Sequence, residues 1–278
     1  MTAPETRADA AGAATRTARA VDELRVALTA LMFLTRIPGP RSLGDDAARL
    51  ARSTAWFPLV GVVVGVVGAG VLALASEAWP PLVAAALSTA VTVWLTGALH
   101  EDALADACDG FGGGWDRARV LTIMKDSRVG SYGVVGLALV LLVKVGAIAA
   151  LAEASVGGAV RALIVAHTLG RWSSLPLIHA LPDVRDDGAK SRPFAGSVTM
   201  PRLIVGSAWA LAATTLALAP LGTGAVGTTL ACAALVTVLG ARYFQRRLGG
   251  MTGDCLGAAN QLVEVGTYLV LASAWLRP

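Results

Sequence analysis

The chain has few charged residues, few aromatic residues and few cysteines. Asp, Glu, Lys and Arg make up only 15% of its 278 residues, whereas soluble domains carry roughly 25%. So few charges cannot cover the surface of a water-soluble globule of this size, which excludes a typical soluble enzyme. The three cysteines have no paired spacing, so they indicate neither a disulfide framework nor a zinc site.

The abundant residues are Ala, Val, Leu and Gly, and hydrophobic residues make up 55% of the chain. Small residues let transmembrane helices approach closely. Several apolar runs approach the length of about 20 residues that a helix needs to cross a bilayer. We therefore predict an all-α, polytopic integral membrane bundle of about seven transmembrane helices. The predicted spans are 56–75, 82–99, 130–152, 159–181, 203–219, 225–239 and 262–276.

The N-terminal region differs in composition. Residues 1–20 are mainly Ala, Thr and Arg without apolar periodicity, which predicts a disordered tail. Residues 21–37 are apolar but interrupted by Arg25 and Arg36, so their clean apolar stretch is too short to span a bilayer. We expect an amphipathic helix at the membrane interface there, as the first element of a single membrane domain over 21–278.

The basic residues are confined to alternate loops. Nineteen of the 23 Lys and Arg residues lie in the segments 1–55, 100–129, 182–202 and 240–261, and none lies in 76–81, 153–158 or 220–224. Because basic loops stay in the cytoplasm, we expect a multi-pass protein of the cell (cytoplasmic) membrane with its N-terminus and basic loops inside. This distribution explains the basic excess without a nucleic-acid partner.

Three aspartates follow the second predicted span at helical spacing. Asp102, Asp106 and Asp109 stand at i, i+4 and i+7, which places them on one face if the helix continues. Three carboxylates on one stripe repel each other unless a cation offsets their charge. Mg²⁺ is the natural candidate because it binds carboxylates together with substrate phosphates. The alternative is a solvated acidic face on an interfacial helix.

A glycine-rich run, 110–114, leads to Lys125, Asp126, Ser127 and Arg128 just before the third predicted span. Glycines allow backbone N–H groups to approach an anion, and Lys and Arg suit phosphate oxygens. Asp126 is a candidate metal ligand or base. The alternative for Lys125 and Arg128 is a juxtamembrane anchor of basic residues.

Ionisable residues also lie inside the predicted spans. Lys144, Arg161, His167 and Arg171 are embedded in apolar sequence. A charge at the bilayer centre costs at least ~2.5–3.5 kcal/mol, so such residues usually face the bundle interior and mark function. Arg171 is the candidate substrate contact among them, whereas we interpret His167 as a packed, hydrogen-bonded residue. Glu264 in the last span is a candidate partner for one of the cations.

Five passages resemble the cobalamin-5′-phosphate synthase family, also called the adenosylcobinamide-GDP ribazoletransferases. In the family's order they are Phe33-Leu-Thr-Arg36-Ile-Pro38, Trp56-Phe-Pro58-Leu-Val-Gly61, the acidic stretch His100–Gly110, Ile123-Met-Lys125-Asp126-Ser127-Arg128-Val-Gly130, and Thr252-Gly-Asp254-Cys-Leu-Gly257-Ala-Ala. The acidic stretch and the Asp-Ser-Arg passage are together specific, and the other three are supportive.

The resemblance implies an integral membrane transferase that joins adenosylcobinamide-GDP to α-ribazole, or to its 5′-phosphate, and releases GMP with Mg²⁺ as cofactor. In that chemistry Asp102, Asp106 and Asp109 hold Mg²⁺ against the diphosphate, because such transfers need positioning and neutralised charge. Asp126 or Asp254 accepts the ribazole hydroxyl proton. The candidate substrate-binding residues are Arg36, His100, Lys125, Ser127, Arg128 and Arg171.

The sequence departs from the family pattern at two places that bear on the site. Glu101 stands where the family usually has an apolar residue, and Asn260-Gln261 stands where it often has Ile-Glu. The acid expected near position 261 is therefore missing unless Glu264 replaces it. Asp254, taken alone, would be interpreted as a helix cap in a glycine-rich segment.

Two other functions remain as alternatives. One is another intramembrane Mg²⁺ enzyme, such as a CDP-alcohol phosphotransferase or a prenyltransferase, although Asp109-Gly110 lacks the following Ala-Arg that the former expects. The other is a transporter with Lys144, Arg161 and Arg171 lining a path. Transporters place their sites near the midplane, whereas the densest polar motifs of this sequence lie at the predicted cytoplasmic edge of the membrane. The expected partners are small-molecule substrates and membrane lipid, and a homo-oligomer is left open.

Overall fold

Twelve α-helices form the fold in a computed structural model that describes residues 5–44, 46–185 and 196–275. Within these ranges the chain has no β-strand, so the predicted all-α class is confirmed. The helices are α1 (Glu5–Leu34), α2 (Arg41–Gly44), α3 (Ala47–Ser53), α4 (Phe57–Ser76), α5 (Pro81–Thr96), α6 (Leu99–Gly113), α7 (Arg117–Ile123), α8 (Ser131–Ala154), α9 (Val156–Ala180), α10 (Met200–Leu218), α11 (Gly222–Leu248) and α12 (Gly253–Trp275).

Helix α9 lies at the centre of the bundle, where it packs against α4, α10 and α12. Its contact with α4 is the most extensive because two glycines of α4 face it. A Cβ at Gly61 would lie 2.3 Å from the carbonyl oxygen of His167, and one at Gly65 would lie 2.6 Å from the Cα of Ile164. Only glycine fits at these distances, so small residues do permit the close helix packing that the composition predicts.

The second predicted span is interrupted by a right-angled bend. Helix α5 ends at Thr96, and α6 begins at Leu99 after a bend of 90°. Gly97 and Ala98 adopt left-handed φ values of +67° and +57°, and the N–H of Ala98 donates to the carbonyl of Val93 at 2.8 Å. A left-handed glycine commonly ends a helix in this way. The acidic stretch therefore lies on a separate helix.

In the described part of the chain, four helical segments are long and apolar enough to cross a membrane, or five if α5 and α6 form one bent span. The predicted number of seven is therefore not confirmed. Two predicted spans, 203–219 and 225–239, fall within one segment that contains both α10 and α11. Helix α9, over the polar predicted span 159–181, is not among the segments. The four candidate membrane-spanning segments are Ala47–Ser76, Ser131–Ala154, Met200–Leu248 and Gly253–Ser273.

The N-terminal helix is longer than predicted. Helix α1 begins at Glu5, so residues 5–20, predicted as part of a disordered tail, are helical. It packs against α3 and the start of α4, and Arg52 of α3 pairs with Asp22 at 2.8 Å and with Glu23 at 2.7 Å. Helix α1 is not one of the segments apolar enough to span a membrane. Its position at the membrane interface stays a prediction, and so does the domain boundary at residue 21.

One end of the bundle, called the site end below, gathers residues 35–40, the α5–α6 break, α7, residues 181–185 and the start of α12. Backbone hydrogen bonds fix residues 181–185 there. The N–H of Val184 donates to the carbonyl of Met251 at 3.0 Å, and the N–H of Met251 donates to Pro182 at 2.8 Å. Segments far apart in the sequence thus meet at one end of the fold.

Candidate active site

A cavity of about 360 Å³ lies at the site end between α1, α4, α6, α9 and α12. Its polar lining comes from His100, Asp102, Ser174, Arg185 and Asp254. Small-molecule sites measure roughly 300–1,000 Å³ and are mainly apolar with a few convergent polar groups. The cavity has this form, since its large apolar residues are Phe33, Leu34, Phe57, Leu99, Ile178 and Leu256.

Carboxylates from two helices meet at this cavity. Asp102 of α6, which is exposed, and Asp254 at the start of α12 both line it. The two helices approach closely because a Cβ at Gly257 would lie 2.3 Å from the Cβ of Ala103. Asp106, one turn after Asp102, is half-buried, and its charge interacts with those of Asp254 and Asp102. We call Asp102, Asp106 and Asp254 the acidic group.

Asp109 lies at the far end of the α6 stripe, where its charge also interacts with that of Asp106. Its buried carboxylate accepts hydrogen bonds from the N–H of Gly130 at 2.7 Å and of Gly133 at 2.8 Å, at the start of α8. Seven residues along a helix correspond to about 10 Å, so Asp109 meets a different neighbour from Asp102. The predicted stripe does exist on α6, and Asp109 at its far end also caps α8; its role as a metal ligand stays a prediction.

The acidic group suits a hard divalent cation by its donor chemistry. Among the described residues, no three His, Cys, Asp or Glu side chains are arranged to hold a metal ion by themselves. Mg²⁺ does not require such a cage, because it is usually bound through one or two carboxylates together with substrate phosphates and water. Asp102 and Asp106, which no cation in the described ranges engages as Arg185 engages Asp254, therefore fit an ion that the substrate helps to bind.

Arg185 brings a positive charge to the cavity, and the sequence did not single it out. Its guanidinium pairs with Asp254 and donates to the carbonyl of Met124 at 3.4 Å, and its N–H donates to Asp183 at 3.0 Å. The side chains of Arg185 and Asp254 are 15% and 14% exposed, so the pair is largely shielded from solvent. In the sequence Arg185 is one basic residue in a basic loop, and its spacing does not distinguish it.

A second cavity, of about 640 Å³, lies beside the end of α6 and the start of α8. Its charged lining consists of Asp109, Arg119, Asp126 and Arg128. Asp126 pairs with Arg128 at 2.7 Å, and the hydrogen bonds from Arg128 lower the pKa of Asp126 to about 2. Lys125 and Ser127 are exposed beside them. The predicted phosphate-binding passage thus borders this second cavity instead of the first.

The segment that follows α7 runs from a contact of Arg185 to the lining of the second cavity. Met124 is buried, and its carbonyl oxygen accepts the hydrogen bond from Arg185 of the first cavity. Lys125 follows Met124 directly in the chain, and Arg128 lies three residues further on. The basic residues near the second cavity, Lys125 and Arg128, therefore begin one residue after Met124, which contacts Arg185 of the first cavity.

The other predicted substrate-binding residues have different surroundings. His100 lines the first cavity and is largely buried. The exposed Arg36 packs over Gly97 at the α5–α6 break, and it is not part of the cavity lining. Arg171 is buried in the core, where it pairs with Glu264 at 2.8 Å. Of these three residues, only His100 is positioned to touch a ligand in the first cavity.

Glu264 is the partner of two buried cations, which agrees with its predicted role. Its carboxylate contacts Lys144 at 2.6 Å, Arg171 at 2.8 Å and the Nδ1 atom of His167 at 2.9 Å. All four side chains are buried, and they join α8, α9 and α12. Arg161 instead donates to a backbone carbonyl at the end of α10 at 3.0 Å.

Known proteins match the chain over nearly its whole length. A family model described as cobalamin-5-phosphate synthase matches residues 26–272. The adenosylcobinamide-GDP ribazoletransferase of Leptothrix cholodnii is 46% identical over 261 residues, which cover 92% of this chain and 98% of that protein. Its namesakes from Polaromonas naphthalenivorans and Vibrio cholerae are 42% and 38% identical, each over 90% of this chain, and over 98% and 94% of their own lengths. No solved structure shows a significant match. Because the family model matches residues 26–272, which include every residue that lines the first cavity, the chain belongs to the cobalamin-5-phosphate synthase family.

Proposed function

We propose that this protein is an adenosylcobinamide-GDP ribazoletransferase, which joins adenosylcobinamide-GDP to α-ribazole, or to its 5′-phosphate, and releases GMP. Family membership supports the proposal. The structural observation that carries it is the single cavity to which α6 and α12 contribute carboxylates and residues 181–185 an arginine. Transfer at a diphosphate needs positioning and neutralised charge more than covalent help from the protein, and these residues are suited to both.

Mg²⁺ is the cofactor in this proposal, and Asp102 and Asp106 are the residues that hold it. They follow one another by one helical turn on α6, and their oxygens are hard ligands of the kind that Mg²⁺ prefers. When bound, the ion neutralises charge on the diphosphate. In this proposal Asp109 is assigned to the cap of α8, where its carboxylate accepts two N–H groups, and not to the metal.

Asp254 is the better candidate of the two predicted bases. It lines the first cavity, whereas Asp126 is exposed and pairs with Arg128. A carboxylate with a pKa of about 2 is also a weak base at neutral pH. In the proposed reaction Arg185 holds the carboxylate of Asp254 at the cavity, and Asp254 accepts the proton of the ribazole hydroxyl.

Lys125 and Arg128 have the role of neutralising the departing GMP. Both are exposed at the site end, close in the chain to Met124 and its contact with Arg185. Arginine binds phosphate oxygens through two parallel donors, and lysine acts as a point charge. Ser127, between them, is a candidate hydrogen-bond donor to the same phosphate.

The site end faces the cytoplasm of a multi-pass protein of the cytoplasmic membrane in this proposal. Basic residues at that end support the orientation because basic loops remain inside. Lys190 and Arg192, which entered the prediction, lie outside the described residues. The supporting residues are Arg117, Arg119, Lys125, Arg128, Arg185, Arg202, Arg242, Arg246 and Arg247.

The transporter alternative loses its main support. It requires Lys144, Arg161 and Arg171 to line a path for a solute. Lys144 and Arg171 are instead paired with the buried Glu264, and Arg161 donates to a backbone carbonyl at the end of α10. The cavity with convergent charges lies at one end of the bundle, which favours an enzyme.

The direct test is an assay of GMP release by the purified protein in detergent. We expect GMP and the cobalamin product in equal amounts when adenosylcobinamide-GDP, α-ribazole and Mg²⁺ are all present, and neither product when the metal is chelated. Reaction of a CDP-alcohol or a prenyl diphosphate in place of these substrates would contradict the proposal. So would substrate uptake into liposomes without GMP release.

The metal site has its own test. Asp102→Asn and Asp106→Asn should each lower turnover by on the order of 100-fold or more, because even residues that only support a metal ligand contribute 10- to 100-fold. Both variants should still insert into the membrane. Glu77→Gln, an exposed change at the opposite end of the bundle, is the matched control. Near-normal activity in both aspartate variants would remove the metal site from the proposal.

A further inference from the structure

Four charged side chains lie in the interior of the bundle. Lys144 comes from α8, Arg171 from α9, Glu264 from α12 and Glu101 from α6, and none is more than 6% exposed. The group therefore contains two cations and two carboxylates. Buried charges are tolerated only when each is compensated, so the pairing of these four decides whether the helices can pack in this arrangement.

One of the two carboxylates faces both cations. Glu264 contacts Lys144 at 2.6 Å through Oε2 and Arg171 at 2.8 Å through Oε1. A single negative charge cannot balance two positive charges, and an uncompensated charge is strongly unfavourable in an interior of low dielectric constant. A second negative charge is needed in the same part of the interior.

Glu101 supplies this charge through an intervening amide. The side-chain oxygen of Gln261 accepts from Lys144 at 3.2 Å, and its nitrogen donates to Oε1 of Glu101 at 3.0 Å. An ammonium group only donates and a carboxylate only accepts. The amide can therefore bond to both neighbours in this orientation alone, and it links Lys144 to Oε1 of Glu101, whose other oxygen, Oε2, is buried without a hydrogen-bond partner among the described residues.

We propose that Glu101 is a positioning residue for the active site. It is the second counter-charge of the buried network and, through Gln261, it fixes the first turn of α6 against α12. Glu101 faces the core while the next residue, Asp102, faces the cavity. Any shift of this turn moves Asp102 relative to Asp254 of α12, which lines the same cavity.

The backbone before α6 explains why this turn needs a fixed position. Helix α6 begins directly after Ala98, a non-glycine residue with a φ of +57°. Left-handed conformations of this kind are held in place by the surrounding structure. The preceding helix, α5, lies at 90° and does not extend into α6. The bond between Glu101 and Gln261 is a direct side-chain link from this turn to α12.

The test moves one carboxylate from α6 to α12. Glu101→Gln removes a carboxylate and Gln261→Glu adds one, so each should lower turnover by about 10-fold or more. The double variant Glu101→Gln/Gln261→Glu restores two carboxylates for two cations, and the amide introduced on α6 can then donate to the carboxylate introduced on α12. We expect its turnover to return to within about 3-fold of wild type, the coupling that a double-mutant cycle detects.

Three measurements separate positioning from simple structural support. GMP release is measured well below the melting temperature of every variant, and thermal unfolding in detergent is recorded in parallel. The exposed Glu153→Gln, near the far end of α8, is the matched control for loss of one carboxylate and should behave as wild type. Single variants that melt lower but keep wild-type turnover would reduce the network to a structural role and overturn the proposal.

A double variant no better than the worse single variant would also overturn the proposal, because the number of charges would then not be what matters. The activity readout rests on the proposed function, whereas the melting readout does not. If the wild type releases no GMP, the proposed function fails. Non-additive melting temperatures among the variants would then still support the network, and additive ones would reject it.

Discussion

Arg185 pairs with Asp254 and, through the same nitrogen, Nη2, donates to the carbonyl oxygen of Met124. One guanidinium group therefore joins residues 181–185, the start of α12 and the end of α7. The pair is largely shielded from solvent, so both contacts are stronger than they would be at an open surface. Arg185 thereby holds the proposed base in its place at the cavity.

The shape of Arg185, as well as its charge, should be needed. Arg185→Lys should lower kcat/KM by roughly 10- to 100-fold, because lysine keeps the positive charge but its ammonium ends one atom nearer the backbone than Nη2, the nitrogen that contacts both Asp254 and Met124. GMP release at varied substrate concentration measures the effect. Arg246→Lys, on the exposed end of α11, is the control. A wild-type rate for Arg185→Lys would show that charge alone is sufficient.

Asp109 should contribute to stability instead of metal binding. Asp109→Ala removes the acceptor for two N–H groups at the start of α8, and loss of a helix cap costs about 1–2 kcal/mol of unfolding free energy. Thermal unfolding in detergent measures it. Asp116→Ala, which removes the exposed cap of the short α7, should have a smaller effect.

The Mg²⁺ requirement of an Asp109 variant tests the opposite interpretation, in which Asp109 is a metal ligand. The Mg²⁺ concentration for half-maximal activity should be the same for Asp109→Asn as for wild type, because a capping residue does not contact the ion. A large increase in that concentration, with an unchanged melting temperature, would show that Asp109 is a metal ligand after all.

Mutation and pH dependence should distinguish between the two candidate bases, Asp254 and Asp126. Asp254→Asn should lower turnover far more than Asp126→Asn. Because Arg128 lowers the pKa of Asp126 to about 2, Asp126 is ionised above that pH and protonated only below it. Asp126→Asn should therefore leave the pH profile of kcat unchanged over roughly pH 5 to 9. Loss of an acidic limb in Asp126→Asn would instead identify Asp126 as the titrating base.

Replacing Ala98, the left-handed residue before α6, with glycine should stabilise the protein against thermal unfolding. An L-residue in this conformation costs roughly 1–2 kcal/mol, so Ala98→Gly should raise the thermal midpoint in detergent, although the more flexible unfolded chain offsets part of the gain. Ala86→Gly, the same change at an exposed site within α5, should lower it, since glycine is unfavourable inside a helix. A lower midpoint for Ala98→Gly would contradict the strained conformation of Ala98.

Local spacing predicted the helices better than it predicted the number of spans. The long apolar runs correspond to helices, and the acidic stripe does lie on one helix. The bend at Gly97 and Ala98 was not predicted, because one glycine at the end of an apolar run does not reveal a turn of 90°. The hydropathy of α9 is reduced by Arg161, His167 and Arg171, whose partners lie on other helices and are invisible in the local sequence.

The sequence by itself determined the membrane class, the family and the acidic motif, because composition and short-range spacing are local properties of the chain. Only the tertiary structure decided that Asp109 caps α8, that Asp254 lines the same cavity as Asp102, and that Arg185 lines it too. It also showed that Glu101 and Gln261, two separate departures from the family pattern, contact each other. The physical reason is that spacing sets which face of a helix a residue occupies, whereas packing between distant segments sets what that face meets.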